Sequence, residues 1–64
     1  MNKVEYWRTY RGYSQRQLAM KAHISHVELN HIEHDKRWPN VYIAIDLARA
    51  LKVSVEELFA GDGK

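Results

Sequence analysis

The amino-acid sequence predicts an all-α domain of five short helices. Apolar residues recur at spacings of three and four, and no stretch alternates apolar and polar residues as a half-buried strand would. Helix-start signals recur too: Ser14, Ser25 and Ser54 are followed three residues later by Gln17, Glu28 and Glu57. This is the capping-box spacing, in which the serine oxygen accepts from a free N–H of the first turn and the longer side chain reaches back. Each serine also follows an apolar residue placed to pack on the fourth helical residue. The pairs are Tyr13 with Leu18, Ile24 with Leu29 and Val53 with Leu58, three hydrophobic staples.

Taken in order, the first helix is expected over about 2–11. Val4, Trp7 and Tyr10 share one face there, and Gly12 stands where a C-terminal glycine belongs. The capping boxes start helices at 15–22, 26–34 and 55–59. Asn40, after Pro39, caps another over 41–51, with Val41, Ala44, Ile45, Ala48 and Leu51 on one stripe. Residues 1–60 read as a single domain, and residues 61–64 as a frayed tail.

Composition narrows the function. A chain of 64 residues makes one small domain with a marginal core, burying only ~60% of its unfolded surface. The absence of cysteine removes disulfides, thiolate zinc sites and thiol catalysis. The 45% hydrophobic and 28% charged fractions are those of an ordinary globular chain. No apolar run approaches the ~20 residues of a membrane span, and the N-terminus lacks the apolar stretch of a signal peptide. A soluble, cytoplasmic domain is expected. The net charge of +2 is unevenly placed: residues 1–37 carry seven bases against four acids and all four histidines. Residues 38–64 carry three bases against four acids. A basic N-terminal portion is compatible with a polyanionic partner.

Only His23, Ile24 and Ser25 separate the second helix from the third. Two short helices joined so tightly make a helix-turn-helix, whose second helix can enter the major groove of DNA, although small bundles also contain such corners without a DNA role. At these residues the chain resembles a known family. The run Tyr13-Ser14-Gln15-Arg16-Gln17-Leu18-Ala19, then Ile24-Ser25, then Leu29-Asn30-His31-Ile32-Glu33 is similar to the Cro/repressor, or XRE-type, helix-turn-helix family. Pro39, the stretch from Leu47 to Ser54 and Glu57-Leu58-Phe59 continue the likeness, which spans about residues 4–59. It implies a five-helix, lambda-repressor-like DNA-binding domain, used mostly by homodimeric transcriptional regulators. Two positions depart from the pattern: His23 stands where the family usually has a turn glycine, and Asp35 where it favours a second one. A left-handed backbone at His23 costs a non-glycine residue ~1 kcal/mol.

On a helical wheel Leu29 and Ile32 of the third helix face inward, while Val27, Asn30, His31 and His34 face away with His26 near one edge. Asn30 can pair with adenine, His26 and His31 can donate to guanine acceptors, and Val27 can touch a thymine methyl. The resemblance sets His26, Val27 and His31 at base-reading positions, with Asn30 beside them. Phosphate contacts are expected from Gln15, Ser25, His34, Lys36, Arg37 and Asn40 around that helix. Arg16 and Lys21 read as solvated charges, and Trp38 as a cover for the loop. The resemblance also implies an ion pair between Arg8 and Glu33.

The histidine pairs 23/26 and 31/34 lack a convergent third ligand, so no metal and no cofactor is expected. The serines are explained as caps and no phosphate-cradling loop is present, so no enzyme is expected. The expected function is sequence-specific binding of double-stranded DNA by a transcriptional regulator. It would act as a homodimer on a two-fold operator, with Val53, Val55, Leu58 and Phe59 in the dimer contact. The alternative is a protein-interaction or antitoxin-like module that uses the same fold to bind a protein.

Overall fold

Asn2, the first described residue, joins two helices distant in sequence. Its Oδ1 accepts from the Val4 amide at 2.9 Å, while its Nδ2 donates to the Ile32 carbonyl at 2.8 Å and to Asp35 at 3.0 Å. This tether starts the first helix at Val4, two residues later than the expected start. The computed structural model describes residues 2–60, so the tail expected over 61–64 lies outside the described residues. The described residues form α1 (Val4–Arg11), α2 (Gln15–Ala22), α3 (His26–Glu33), α4 (Val41–Leu51) and α5 (Val55–Phe59), with no strand among them.

The helix ends follow local chemistry. Ser14 with Gln17, and Ser54 with Glu57, make both halves of their capping boxes. Ser25 accepts from the Glu28 amide at 2.9 Å, but Glu28 does not reach back. Its carboxylate instead takes Arg37 at 2.9 Å, because a charged partner outcompetes a lone amide for it. Asn40 caps α4 through the Ile43 amide at 2.9 Å. Helix α3 ends at Glu33, one residue early, with His34 as its cap. Gly12 closes α1 at φ 81°, in a space where an added Cβ would touch nothing, so glycine serves its backbone angle alone. Among the described residues, three that are not glycine adopt the same left-handed region: His23 at φ 60°, Asp35 at 59° and Lys52 at 60°.

Helix α2 lies at the centre, against α3 and α4, and α1 crosses α3, α4 and α5. The core joins Val4, Leu18, Ala19, Ala22, Leu29, Ile32, Leu47, Ala48, Leu51 and Leu58. The staple residues Tyr13, Ile24 and Val53 pack partly buried against it. Three expectations are corrected by this packing. Tyr10 is exposed, and α1 turns Val4 and Trp7 inward without it. Helix α4 buries Ala44, Leu47, Ala48 and Leu51, and leaves Val41 62% and Ile45 38% exposed. Its sequence holds two overlapping apolar stripes, and its neighbours cover the one containing Leu47. Leu58, expected in a dimer contact, is 1% exposed within the core of its own chain. Val53 and Phe59 are half-buried, and Val55 remains at the surface.

Two contacts tie the far ends of the fold. The Lys3 amide donates to the Leu58 carbonyl at 2.9 Å, joining the start of the chain to α5. Arg11 donates from Nε to the Leu51 carbonyl at 2.8 Å, supplying a cation at the negative end of α4. Its guanidinium also lies 5.4 Å from the ring centroids of Trp7 and Tyr10.

Candidate nucleic-acid interface

The corner between α2 and α3 is closed by backbone bonds. The Ile24 amide donates to the Ala19 carbonyl at 3.0 Å, and the His23 amide to Met20 at 3.3 Å. His23 therefore takes the left-handed angle of the expected turn glycine, a region that histidine enters more readily than most residues. With Leu29 and Ile32 fully buried, the rotation of α3 about its axis is set. His26, Val27 and His34 are exposed, and Asn30 and His31 are half-buried on the same outer side. All four expected base-reading residues thus share one face.

Glu33 is the polar anchor behind that face. Its side chain is 1% exposed, and Arg8 Nε meets its Oε2 at 2.7 Å. The Arg8 Nη1 donates to the Tyr13 carbonyl at 2.9 Å, so the guanidinium also fixes the turn between α1 and α2. The second carboxylate oxygen accepts from Gln15 Nε2 at 2.8 Å. Both oxygens are satisfied, as a buried carboxylate requires. The Arg8–Glu33 pair expected from the family resemblance is present, and it connects α1, α2 and α3.

Gln15 joins this anchor to the outer face. Its Oε1 lies 3.0 Å from His26 Nε2, so a residue expected at a phosphate touches one expected at a base. His34 turns back on its own helix, with Nδ1 2.8 Å from the Asn30 carbonyl. Ser25 and Asn40 spend side-chain oxygens on caps, leaving the serine hydroxyl hydrogen and the asparagine NH2 group as donors. Lys36 is exposed in the segment after α3. Arg37 is exposed too, but is held by Glu28. Arg16 is exposed, and Lys21 lies 5.2 Å from the ring centroid of Tyr13. Trp38 covers less than expected: it is 64% exposed, with its ring 5.8 Å from that of Phe59.

Sequence reasoning missed three contributors. The tie from Asn2 to the end of α3 gave no signal, because Ile32 and Asp35 are thirty or more positions away. The Arg37–Glu28 pair was hidden behind the capping-box spacing. The exposed apolar group of Val41, Tyr42 and Ile45 was legible only as part of a helical stripe.

Comparison with known proteins agrees with this geometry. The pattern of a helix-turn-helix family matches residues 4–58, nearly the whole described chain. No protein of curated function matches significantly. Among solved structures, the chain is similar to the restriction-modification controller protein C.AhdI from Aeromonas hydrophila. The two are 28% identical with a TM-score of 0.84, over 89% of this chain and 86% of that one. A capped corner between α2 and α3, its buried ion pair and the match across the five described helices lead to one assignment: the chain belongs to the XRE-type helix-turn-helix family of DNA-binding transcription regulators.

Proposed function

We propose that the chain is a sequence-specific regulator that sets α3 into the major groove and acts as a homodimer on a two-fold operator. The observation that carries this is the outer face of α3, where His26, Val27, Asn30 and His31 stand on a helix anchored from behind by Glu33. Base edges are read by such donors, acceptors and apolar groups. Gln15, Ser25, His34, Lys36, Arg37 and Asn40 surround the face as phosphate-contacting groups, with Arg37 first leaving Glu28. The likeness to a restriction-modification controller supports a regulatory role.

The dimer contact proposed here shifts from the α5 residues toward α4. Val41, Tyr42, Ile45 and Val55 are exposed large hydrophobic residues, and Trp38 beside Phe59 adds to them. Apolar exposure on this scale in so small a chain favours a partner surface. A body of 30 × 20 × 19 Å is of a size for two copies to span the ~34 Å between successive major grooves. The same surface supports the second reading, a protein-binding module, with another protein in place of a second copy.

Selection from random duplexes, followed by binding across a salt series, tests the proposal. The expected result is a two-fold symmetric site and a steep fall of affinity with salt. Absence of measurable duplex binding, with capture of a protein partner through α4, would establish the second reading.

A further inference from the structure

The polar chain behind α3 decides which ring nitrogen of His26 carries its hydrogen. It starts at Glu33, whose carboxylate is held by Arg8 at 2.7 Å and can only accept. Gln15 must therefore turn its NH2 group toward Glu33, where Nε2 lies 2.8 Å from Oε1. An amide is placed by its network, and here one orientation alone satisfies the carboxylate. The Gln15 carbonyl oxygen is thus left facing His26 Nε2 at 3.0 Å. A carbonyl oxygen accepts and does not donate, so Nε2 carries the hydrogen. In the neutral ring, Nδ1 is then an unprotonated acceptor. His26 is exposed, and its Nδ1 has no hydrogen-bond partner among the described residues.

We propose that His26 is a specificity-determining residue that reads an exocyclic amino group through Nδ1. In the major groove only adenine N6 and cytosine N4 present that donor, whereas guanine presents N7 and O6 acceptors. The neutral ring so oriented accepts a hydrogen bond from adenine or cytosine and has no hydrogen to give guanine. Arg8, Glu33 and Gln15 act through His26 as positioning residues. This rests on the reading of α3 as the base-contacting helix and adds the chemical class of base edge read at one position.

His34 provides an internal reference. Its Nδ1 lies 2.8 Å from the Asn30 carbonyl, so the hydrogen of its neutral ring sits on Nδ1. The two histidines of one helix therefore carry opposite tautomers, each set by a single carbonyl oxygen.

Two measurements test the proposal. In the first, 15N-resolved spectra of the imidazoles are recorded on the free protein at about pH 8.5, well above the ~6.5 of a model imidazole. His26 should show a protonated Nε2 and an unprotonated Nδ1, and His34 the reverse. Gln15→Leu should return His26 to a tautomer mixture and leave His34 unchanged. In the second, each adenine and cytosine of the selected site is replaced in turn by its desamino analogue, purine or 2-pyrimidinone. At the His26 position the loss should be about fivefold, the size of one net hydrogen bond. It should vanish in His26→Ala, and which analogue causes it separates adenine from cytosine. A His26 ring protonated on Nδ1, or no desamino loss that depends on His26, overturns the proposal. If the protein binds no duplex at all, the reading of α3 fails instead, and the spectra still report the tautomer independently.

Discussion

The half of the molecule built from α1, α2 and α3 and the half built around α4 and α5 share one apolar core but differ in the polar contacts added to it. In the first, Arg8, Gln15 and Glu33 form a directional polar network through which three helices meet, and Asn2 separately ties the start of α1 to the end of α3. In the second, α4 is bound to its neighbours mainly by Ala44, Leu47, Ala48 and Leu51, with Arg11 at its C-terminal end. Apolar packing is nondirectional and tolerates small rotations, whereas hydrogen bonds to a buried carboxylate do not. A helix whose outer side chains must meet base edges needs its rotation fixed to a fraction of a turn. A helix offering an apolar patch to a partner surface has a looser requirement. The polar anchor lies behind α3, while α4 carries Val41 and Tyr42 exposed on the side away from its core residues.

The largest expected effect breaks the polar half. Arg8→Ala leaves Glu33 buried without its cation and should cost ~3–5 kcal/mol. A domain of this length has on the order of 3–10 kcal/mol in total, so urea titration should find the variant nearly or wholly unfolded. Replacing both partners by apolar residues, Arg8→Met with Glu33→Leu, should recover most of that loss, because no uncompensated charge remains. The recovered fold should nonetheless discriminate DNA sites poorly, since Gln15 has lost its anchor. Full additivity of the two single losses would mean that the pair contributes nothing as a pair.

Next in size is the contrast between the two sides of α4. Leu47→Ala should destabilise the chain by ~2–5 kcal/mol through a core cavity. Tyr42→Asp, at an exposed position in the first turn of α4, should stay within ~0.5 kcal/mol in thermal unfolding of the monomer. It should instead reduce pairing in sedimentation and weaken binding to two-fold sites more than about tenfold. Unchanged self-association would move the partner surface away from α4.

Smaller effects sharpen the DNA face. His31→Ala should relax preference at one position of each half-site by ~1–3 kcal/mol in competition binding. Lys36→Ala should weaken all sequences alike and lower the salt slope by ~1. If His31→Ala lowers affinity uniformly, it contacts phosphate and not a base. The smallest effect is at the corner, where His23→Gly should stabilise the fold by ~0.5–1 kcal/mol by relieving the left-handed angle.

The five helices were legible because their signals are local. Ser14, Ser25, Asn40 and Ser54 cap helices through amides three residues away, and Gly12 terminates α1 through its own backbone. The inward side of α3 was legible for the same reason, since Leu29 and Ile32 were its large aliphatic residues. Arg8 and Glu33 were paired through family likeness, while nothing in the spacing of those two residues joins them. Contacts of that kind depend on where distant helices meet, which local pattern does not encode.

What the sequence by itself determined is the helix inventory, the corner between α2 and α3, and which side of α3 faces out. These follow from caps, backbone angles and apolar spacing within a few residues. The tertiary structure alone decided which of two apolar stripes on α4 is buried, and that Leu58 belongs to the core. It also turned Glu28 from its capping box to Arg37 and joined Glu33 through Gln15 to His26. Glu28 had two chemically acceptable partners, the Ser25 amide near in sequence and Arg37 brought near by packing. The choice between them rests on the free energy of the assembled helices.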